Sequence, residues 1–269
     1  MMQASIATCV TREKVLEENR RVHALENRLY LSRHPEQTNF FQKALLKKTV
    51  NYICGNLEPD SRILDLGCGT GYFSSEFLAL GYNLTGLDLS QEMIQVFADS
   101  IPESQKQQTS LFVGDVETFL SQNEEQFDVV ILSAILHHLF DYELVLRQIC
   151  SRLASGQKLL IFFEPLKQEV HSLLRYFLHR TLSWIDEGLY RFDMKTKNIS
   201  VLDDEYQHSD YQRQFGGLDL NLIYKILVDE GLKIDYVEKY CARRYGLNAW
   251  LANRLLGTEN TFNLLAIKP

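Results

Sequence analysis

The apolar positions of this chain follow two periods in turn. Between residues 11 and 30, Val15, Val22, Leu25 and Leu29 recur among charged residues near the helical spacing, which predicts a helix. His34-Pro35 ends it, because the residue before a proline avoids the helical region. Thr38 or Asn39 is placed to cap a second helix through Phe41, Leu45, Leu46, Val50 and Ile53. The period then shortens. Ile63, Leu64 and Leu66 form a strand-like run directly before Gly67, Gly69 and Gly71, and residues 72–80 are helical up to Gly81. Further strands are expected at 83–88, 110–114, 127–133 and 158–163. The helices between them fall at 91–100, capped by Ser90, at 118–120 as a short piece, and at 141–153. The runs at 127–133 and 158–163 are apolar throughout, as in strands covered on both faces. Strands alternating with helices at this rhythm predict a parallel sheet between two helical layers.

The rhythm breaks at 166–218, where no clear strand is seen. This stretch opens on a helix with an apolar stripe of Val170, Leu173, Leu174, Phe177, Leu178, Thr181 and Leu182, and closes on a polar segment at 203–210. An insertion of this length inside a compact fold usually forms a lid or a binding region. The sheet pattern resumes with a helix at 219–230, a strand at 232–240, a short helix at 246–256 and a strand at 261–268. The last two strands are close enough in sequence to pair antiparallel. The expected fold is α/β: a Rossmann-like, doubly wound, mostly parallel seven-stranded sheet with an antiparallel strand near the C-terminus and a helical cap. Residues 1–57 would be an N-terminal helical lid, 58–165 and 219–269 the core, and 166–218 the cap that meets substrate.

Composition narrows the class of partner. The chain has 269 residues, 45% of them hydrophobic, and a formal net charge of −7. Such a balance does not favour nucleic acid. Cys9, Cys54, Cys68, Cys150 and Cys241 are scattered, with no metal-ligand spacing, so no metal site is expected. An odd number of isolated cysteines suits a reducing compartment. No apolar run reaches membrane-spanning length and the first residues lack a signal-peptide order, so stable membrane insertion is not expected and a cytoplasmic location is.

Ligands of open parallel sheets bind beyond the carboxyl ends of the strands. Those ends carry Asp65 with the Gly67–Gly71 loop, then Asp88, then Gly114-Asp115-Val116, then Ser133 through His138. The glycine spacing is G-x-G-x-G, preceded by an acid, which suits a ligand without phosphates better than a pyrophosphate. A carboxylate about twenty residues on suits a ribose diol.

With these residues in place, the chain resembles the class I S-adenosylmethionine-dependent methyltransferases. ILDLGCGTGYFS is similar to that family's first motif, GLDLS to the second, VGDVE to the third and FDVVILSAILHHL to the fourth. The resemblance implies S-adenosylmethionine as cofactor. It places Asp65, Gly67, Cys68, Gly69 and Gly71 at the methionine end, Asp88 on the ribose, Leu89 and Met93 beside the adenine, Gly114, Asp115 and Val116 at the adenine edge, and Ser133 and Ala134 below the sulfonium. His138 is the candidate base, since histidine is suited to proton removal near neutral pH. Candidate acceptor contacts are Tyr30, His137, Tyr190, His208, Arg213 and Arg243, the last able to meet an anion.

A capped pocket suits a small or medium organic acceptor. The post-strand residues Ala134 to His138 lack the pattern of amide or nucleobase nitrogen methylation, so oxygen methylation leads, with amine or carboxyl methylation as the alternative. A nicotinamide-dependent reductase and a non-catalytic methyltransferase-like partner protein are remoter alternatives. Apolar helices in the insertion could pair across a homodimer.

Overall fold

The computed structural model describes residues 10–167, 172–202, 206 and 209–269. Its seven strands are β1 (Arg62–Leu66), β2 (Asn83–Asp88), β3 (Thr109–Val113), β4 (Val129–Ser133), β5 (Lys158–Pro165), β6 (Lys233–Tyr240) and β7 (Thr261–Ile267). They form one sheet in the order β3-β2-β1-β4-β5-β7-β6. The first five pair in parallel, and β7 runs antiparallel to both β5 and β6. β7 is thus the one reversed strand, inserted between β5 and β6, and the connection that leads to it over residues 241–260 carries a helix.

Strand alternation divides the core. Leu64, Leu66, Val130, Leu132, Leu159 and Ile161 face one helical layer. That layer is α8 (Tyr142–Arg152) and α10 (Leu220–Asp229). Ile63, Val129, Ile131, Leu160 and Phe162 face the other, built from α4 (Phe40–Cys54), α5 (Ser74–Ala79) and α6 (Gln91–Ser100). Each such side chain, taken out of water, contributes about 1.5–3 kcal/mol. Two caps fall where the sequence places them, Asn39 and Ser90, each accepting from a backbone N–H in the first turn; Asp141, expected as the first helical residue, caps α8 in the same way.

Some elements differ from expectation. The helix expected at 11–30 is α1 (Arg12–Glu26), a 3-10 turn at Asn27–Leu29 and α2 (Tyr30–Arg33). Asn27, at φ +46°, breaks the continuous helix. Pro35 then opens the one-turn helix α3 (Pro35–Thr38) at its first position, where its missing N–H costs nothing. The short piece expected at 118–120 is α7 (Val116–Gln122), extended because Asp115 caps it. The insertion holds α9 (Leu173–Thr196), 24 residues and so about 36 Å long. It docks through His179, Asp186, Tyr190 and Met194. Leu173, Leu174, Phe177 and Trp184, 67–81% exposed, face outward. Val170 lies outside the described residues. After β6, α11 (Gly246–Leu251) runs into a π-helical turn at Ala252–Leu256. No described helix is long and apolar enough to cross a membrane.

Candidate functional site

The carboxyl ends of β1, β2, β3 and β4 meet at one cavity. Its floor is mostly backbone. Gly67 and Gly69 stand at φ +77° and +52°, in the left-handed region that glycine enters freely. Within 4 Å of where a Gly69 Cβ would sit there is nothing, so the loop is open to the cavity there. A Cβ on Gly67 would meet Ile135 at 2.3 Å, and one on Gly71 would meet the Phe97 ring at 2.0 Å. Two of the glycines therefore let side chains pack behind the loop, and Gly69 lets a ligand approach. Asp88 Oδ2 accepts from the Gly69 N–H at 2.9 Å and its Oδ1 from the Ser90 N–H at 2.8 Å, so this carboxylate locks the loop to the β2 end. Leu89, Met93, Gly114, Val116, Ser133 and Ala134 complete the wall. Ala134 sits at φ +54°, strained for a residue with a Cβ, where β4 turns over the cavity.

Three expected residues lie beneath this floor instead of on the wall. Asp65 is 1% exposed and accepts from Ser74 Oγ, while its Oδ1 has no partner. Burial, together with the charge of Asp88, pushes its carboxyl up to about 7 against the pull of Ser74. Cys68 is packed under Gly86, and burial pushes its thiol well up. Gly71 faces Phe97. The direction of each is set by which side of the loop the backbone presents, which spacing does not encode.

The roof is the N-terminal helix. Leu16, Asn19, His23 and Tyr30 line the cavity from above. Arg12 binds Asp115 at 2.6 Å and Glu117 at 2.9 Å, pinning α1 to the β3 end. Asn19 donates to the His138 carbonyl at 3.3 Å. Behind the roof is a buried network. Glu26, fully buried, takes His23 Nδ1 at 3.1 Å on one oxygen and His34 Nε2 at 2.5 Å on the other, with the Tyr206 hydroxyl also donating to it. Burial opposes every charge here, yet the mutual hydrogen bonds win: Glu26 is held far below the carboxylate range and His34 is lifted to about 10, with Glu36 contributing at 3.0 Å. Burial also works against a charged His23, but the bond to Glu26 raises it above the ordinary histidine value.

His138 lies on the cavity wall with its ring 5.2 Å edge-on from that of His23. Its Nδ1 faces the Ser209 carbonyl at 2.8 Å. Burial, with His137 adding, pushes His138 down to about 3. His137 is buried, hydrogen-bonded through Nδ1 to Glu164 at 2.8 Å, and likewise pushed down to about 3. Glu164 accepts from the Ile135 and Leu136 N–H groups at 2.7 and 2.8 Å, which fixes the turn after β4. Asp210 approaches both imidazoles, so that nitrogen and oxygen atoms of His137, His138 and Asp210 lie within 4.8 Å of one another. By distance they could share a cation, but the Ser209 carbonyl on His138 and Arg213 beside Asp210 at 3.3 Å already answer their polar needs.

A wider cleft of about 690 Å³ opens beyond the β5 end, lined by Glu36, Phe163, Lys167, Arg213, Arg243 and Arg244 among others. Two expected acceptor contacts, Arg213 and Arg243, therefore meet there, while Tyr30 and His138 meet at the first cavity. Tyr190 lies under the Arg244 guanidinium, 3.8 Å from its ring centre, and lines neither space. His208 lies outside the described residues. Sequence reading missed His23, Glu26 and Asn19. The only signal was their i, i+3 and i, i+4 spacing on a helix otherwise read as an amphipathic cover.

Comparison with known proteins adds three findings. A methyltransferase-domain family profile matches residues 39–215. The ubiquinone biosynthesis O-methyltransferase of Idiomarina loihiensis is 30% identical over 143 residues, 52% of this chain and 58% of that protein. The chain thus spans little more than half the length of the curated relatives it matches. Among solved structures, the cyclase SpnF superposes with a TM-score of 0.62 at 17% identity, over 97% of this chain and 98% of that one. The magnesium protoporphyrin IX methyltransferase ChlM of Synechocystis, crystallised with S-adenosylhomocysteine, gives 0.56 at 18% identity, over 94% and 100%. At such identities the likeness to both structures is one of fold.

Proposed function

The chain belongs to the class I S-adenosylmethionine-dependent methyltransferases, and on that premise we propose that it methylates an oxygen of a small or medium organic acceptor. The observation that carries this is the meeting, at one cavity, of the open Gly69 turn, the Asp88 carboxylate and two imidazoles. The residues fit the family's cofactor. The unpartnered Oδ1 of Asp65 and the raised Asp65 and Asp88 carboxyls, both raised first by burial, are relieved by a cationic group nearby. Asp88 has lone pairs left for a ribose diol, and Leu89, Met93 and Val116 suit a purine face.

When bound, the cofactor supplies a methyl group made electrophilic by sulfonium charge. The chain's own part is alignment and proton removal. A hydroxyl needs a proton acceptor, and His138, the position expected from sequence, is too weakly basic at about 3. His23 is the basic imidazole on the same cavity. Its Nδ1 is held by Glu26, which leaves Nε2 as the proton acceptor toward the cavity. His138 then walls and orients the acceptor, with Tyr30 beside it, and His137 holds the post-β4 turn. His23 titrates among Glu26, Tyr30 and His34 on its own side and Asp88 and His138 on the floor.

In this reading, residues 1–57 act as lid, 166–218 as acceptor cap, and 58–165 with 219–269 as core. The exposed apolar face of α9 supports a homodimer, the isolated cysteines suit a reducing, cytoplasmic setting, and the net charge of −7 speaks against nucleic-acid partners. The test is calorimetric binding of S-adenosylhomocysteine, followed by methyl transfer to 3,4-dihydroxybenzoate and simple phenols against matched amines and carboxylates. Transfer to the amines or carboxylates alone would refute oxygen methylation. Absence of S-adenosylhomocysteine binding would sink the activity altogether.

A further inference from the structure

Arg243 is 7% exposed, so its guanidinium is buried, and it lines the wide cleft beyond β5. Its partners are neutral. One terminal nitrogen donates to Ser183 Oγ at 2.5 Å, and the other reaches His179 Nδ1 at 2.8 Å and the His179 carbonyl at 3.2 Å. Its Nε has no partner at all. Among the described residues no carboxylate forms an ion pair with it. Burial with Arg243 at hand disfavours a second cation, and His179 is pushed down to about 4.

A guanidinium cannot shed its proton to escape burial. An uncompensated buried charge costs several kcal/mol, and an anion bound beside it would offset that cost. The remaining charges of the cleft do not remove it. Glu36 gives one oxygen to His34 while its other, buried, has no hydrogen-bond partner, and Asp186 is held by the Arg244 N–H and Asn248; neither carboxylate forms a hydrogen bond or ion pair with Arg243. Lys167, Arg213 and Arg244 add positive charge to the same lining.

We propose that Arg243 is the anchor of an oxyanion subsite, and that the methyl acceptor carries a carboxylate or phosphate seated there. Naming the anion's carrier as the acceptor rests on the methyltransferase reading; the anion site itself does not. The cleft opens at the end of β5, next in the sheet to β4, whose end carries the imidazole wall. An acceptor anchored by its anion at β5 would present its hydroxyl toward that wall. Arginine is the side chain best matched to both anions, through charge-assisted hydrogen bonds.

The test uses the full chain. Thermal melting is followed with inorganic phosphate and, separately, benzoate, each against sodium chloride at matched ionic strength, for the native protein, Arg243→Met and Arg243→Lys. The expected result is stabilisation of the native protein by at least one probe, with an affinity at least 10-fold weaker in Arg243→Met and intermediate in Arg243→Lys. The stronger probe identifies phosphate or carboxylate as the anion. Arg243→Met without anion is expected to melt no lower than the native protein. Anion response retained in Arg243→Met, or no response of the native protein to either probe beyond that to chloride, would overturn the subsite. If Arg243→Met does not fold, Arg243→Lys decides: an unchanged response counts against the proposal and a weakened one for it. S-adenosylhomocysteine binding is measured in parallel and reports on the methyltransferase reading alone.

Discussion

The floor and the roof of the first cavity reach the same ligand space by opposite means. The floor is glycine backbone and short strand-end carboxylates, and its shape is fixed by φ angles and by what packs behind it. The roof is a helix whose long side chains are held by ion pairs and a buried hydrogen-bond network. A floor of this kind has no room for an added atom at Gly67 or Gly71, where side chains pack behind it. A roof of this kind tolerates change at its edge but not at its buried acid. The cavity between them holds about 90 Å³, below the few hundred typical of a ligand site.

The sharpest break of this contrast is Gly71→Ala. Its Cβ would lie 2.0 Å from the Phe97 ring at a φ of +75°, so urea denaturation should show a loss of about 3 kcal/mol or more. Gly69→Ala has empty space around its Cβ and should cost only about 1–2 kcal/mol for its backbone. It should nevertheless weaken S-adenosylhomocysteine binding more than 10-fold by calorimetry. Equal stability losses in the two would end the distinction between packing glycine and ligand glycine.

On the roof, Glu26→Gln leaves two imidazoles facing an amide and should cost about 3 kcal/mol. Its pH signature is specific. His34, raised to about 10, contributes fully below its ordinary 6.5 and loses that contribution as pH rises through 10. Glu26, depressed, contributes above its ordinary 4.5 and loses that as pH falls. The stability difference between the native protein and Glu26→Gln should therefore be largest between pH 4.5 and 6.5 and smaller at pH 9, measured as paired thermal melts. Next in size, Arg12→Ala removes two pairs from a side chain 31% exposed, worth at most about 1 kcal/mol. It should speed both association and release of S-adenosylhomocysteine in stopped-flow fluorescence by freeing the edge of the roof. The smallest effect belongs to the outward face of α9: Trp184→Ser should change folding stability by less than about 0.5 kcal/mol, and sedimentation will show whether that face pairs two copies.

How much of this was readable beforehand follows from what each part depends on. Asp88 and the strand bounds at 83–88 and 62–66 were legible because local periodicity and a glycine stop specify them. His23 and Glu26 were not, since a buried ion network and a solvated helix face have the same spacing. Arg243 was legible as a cation able to meet an anion. Its lack of a counter-ion was not, because that depends on α9 bringing Ser183 and His179 against it from 60 residues away.

The sequence by itself determined the sheet, its reversal at the last strand and the strand-end residues of the floor, because period, chirality and turn chemistry are local. Tertiary structure alone decided which loop residues face the cavity, which histidine is basic and that Arg243 is buried against neutral partners at a cleft. Those properties come from burial and charge contributed by elements far apart in the chain, and desolvation acts on a group only once its surroundings have assembled.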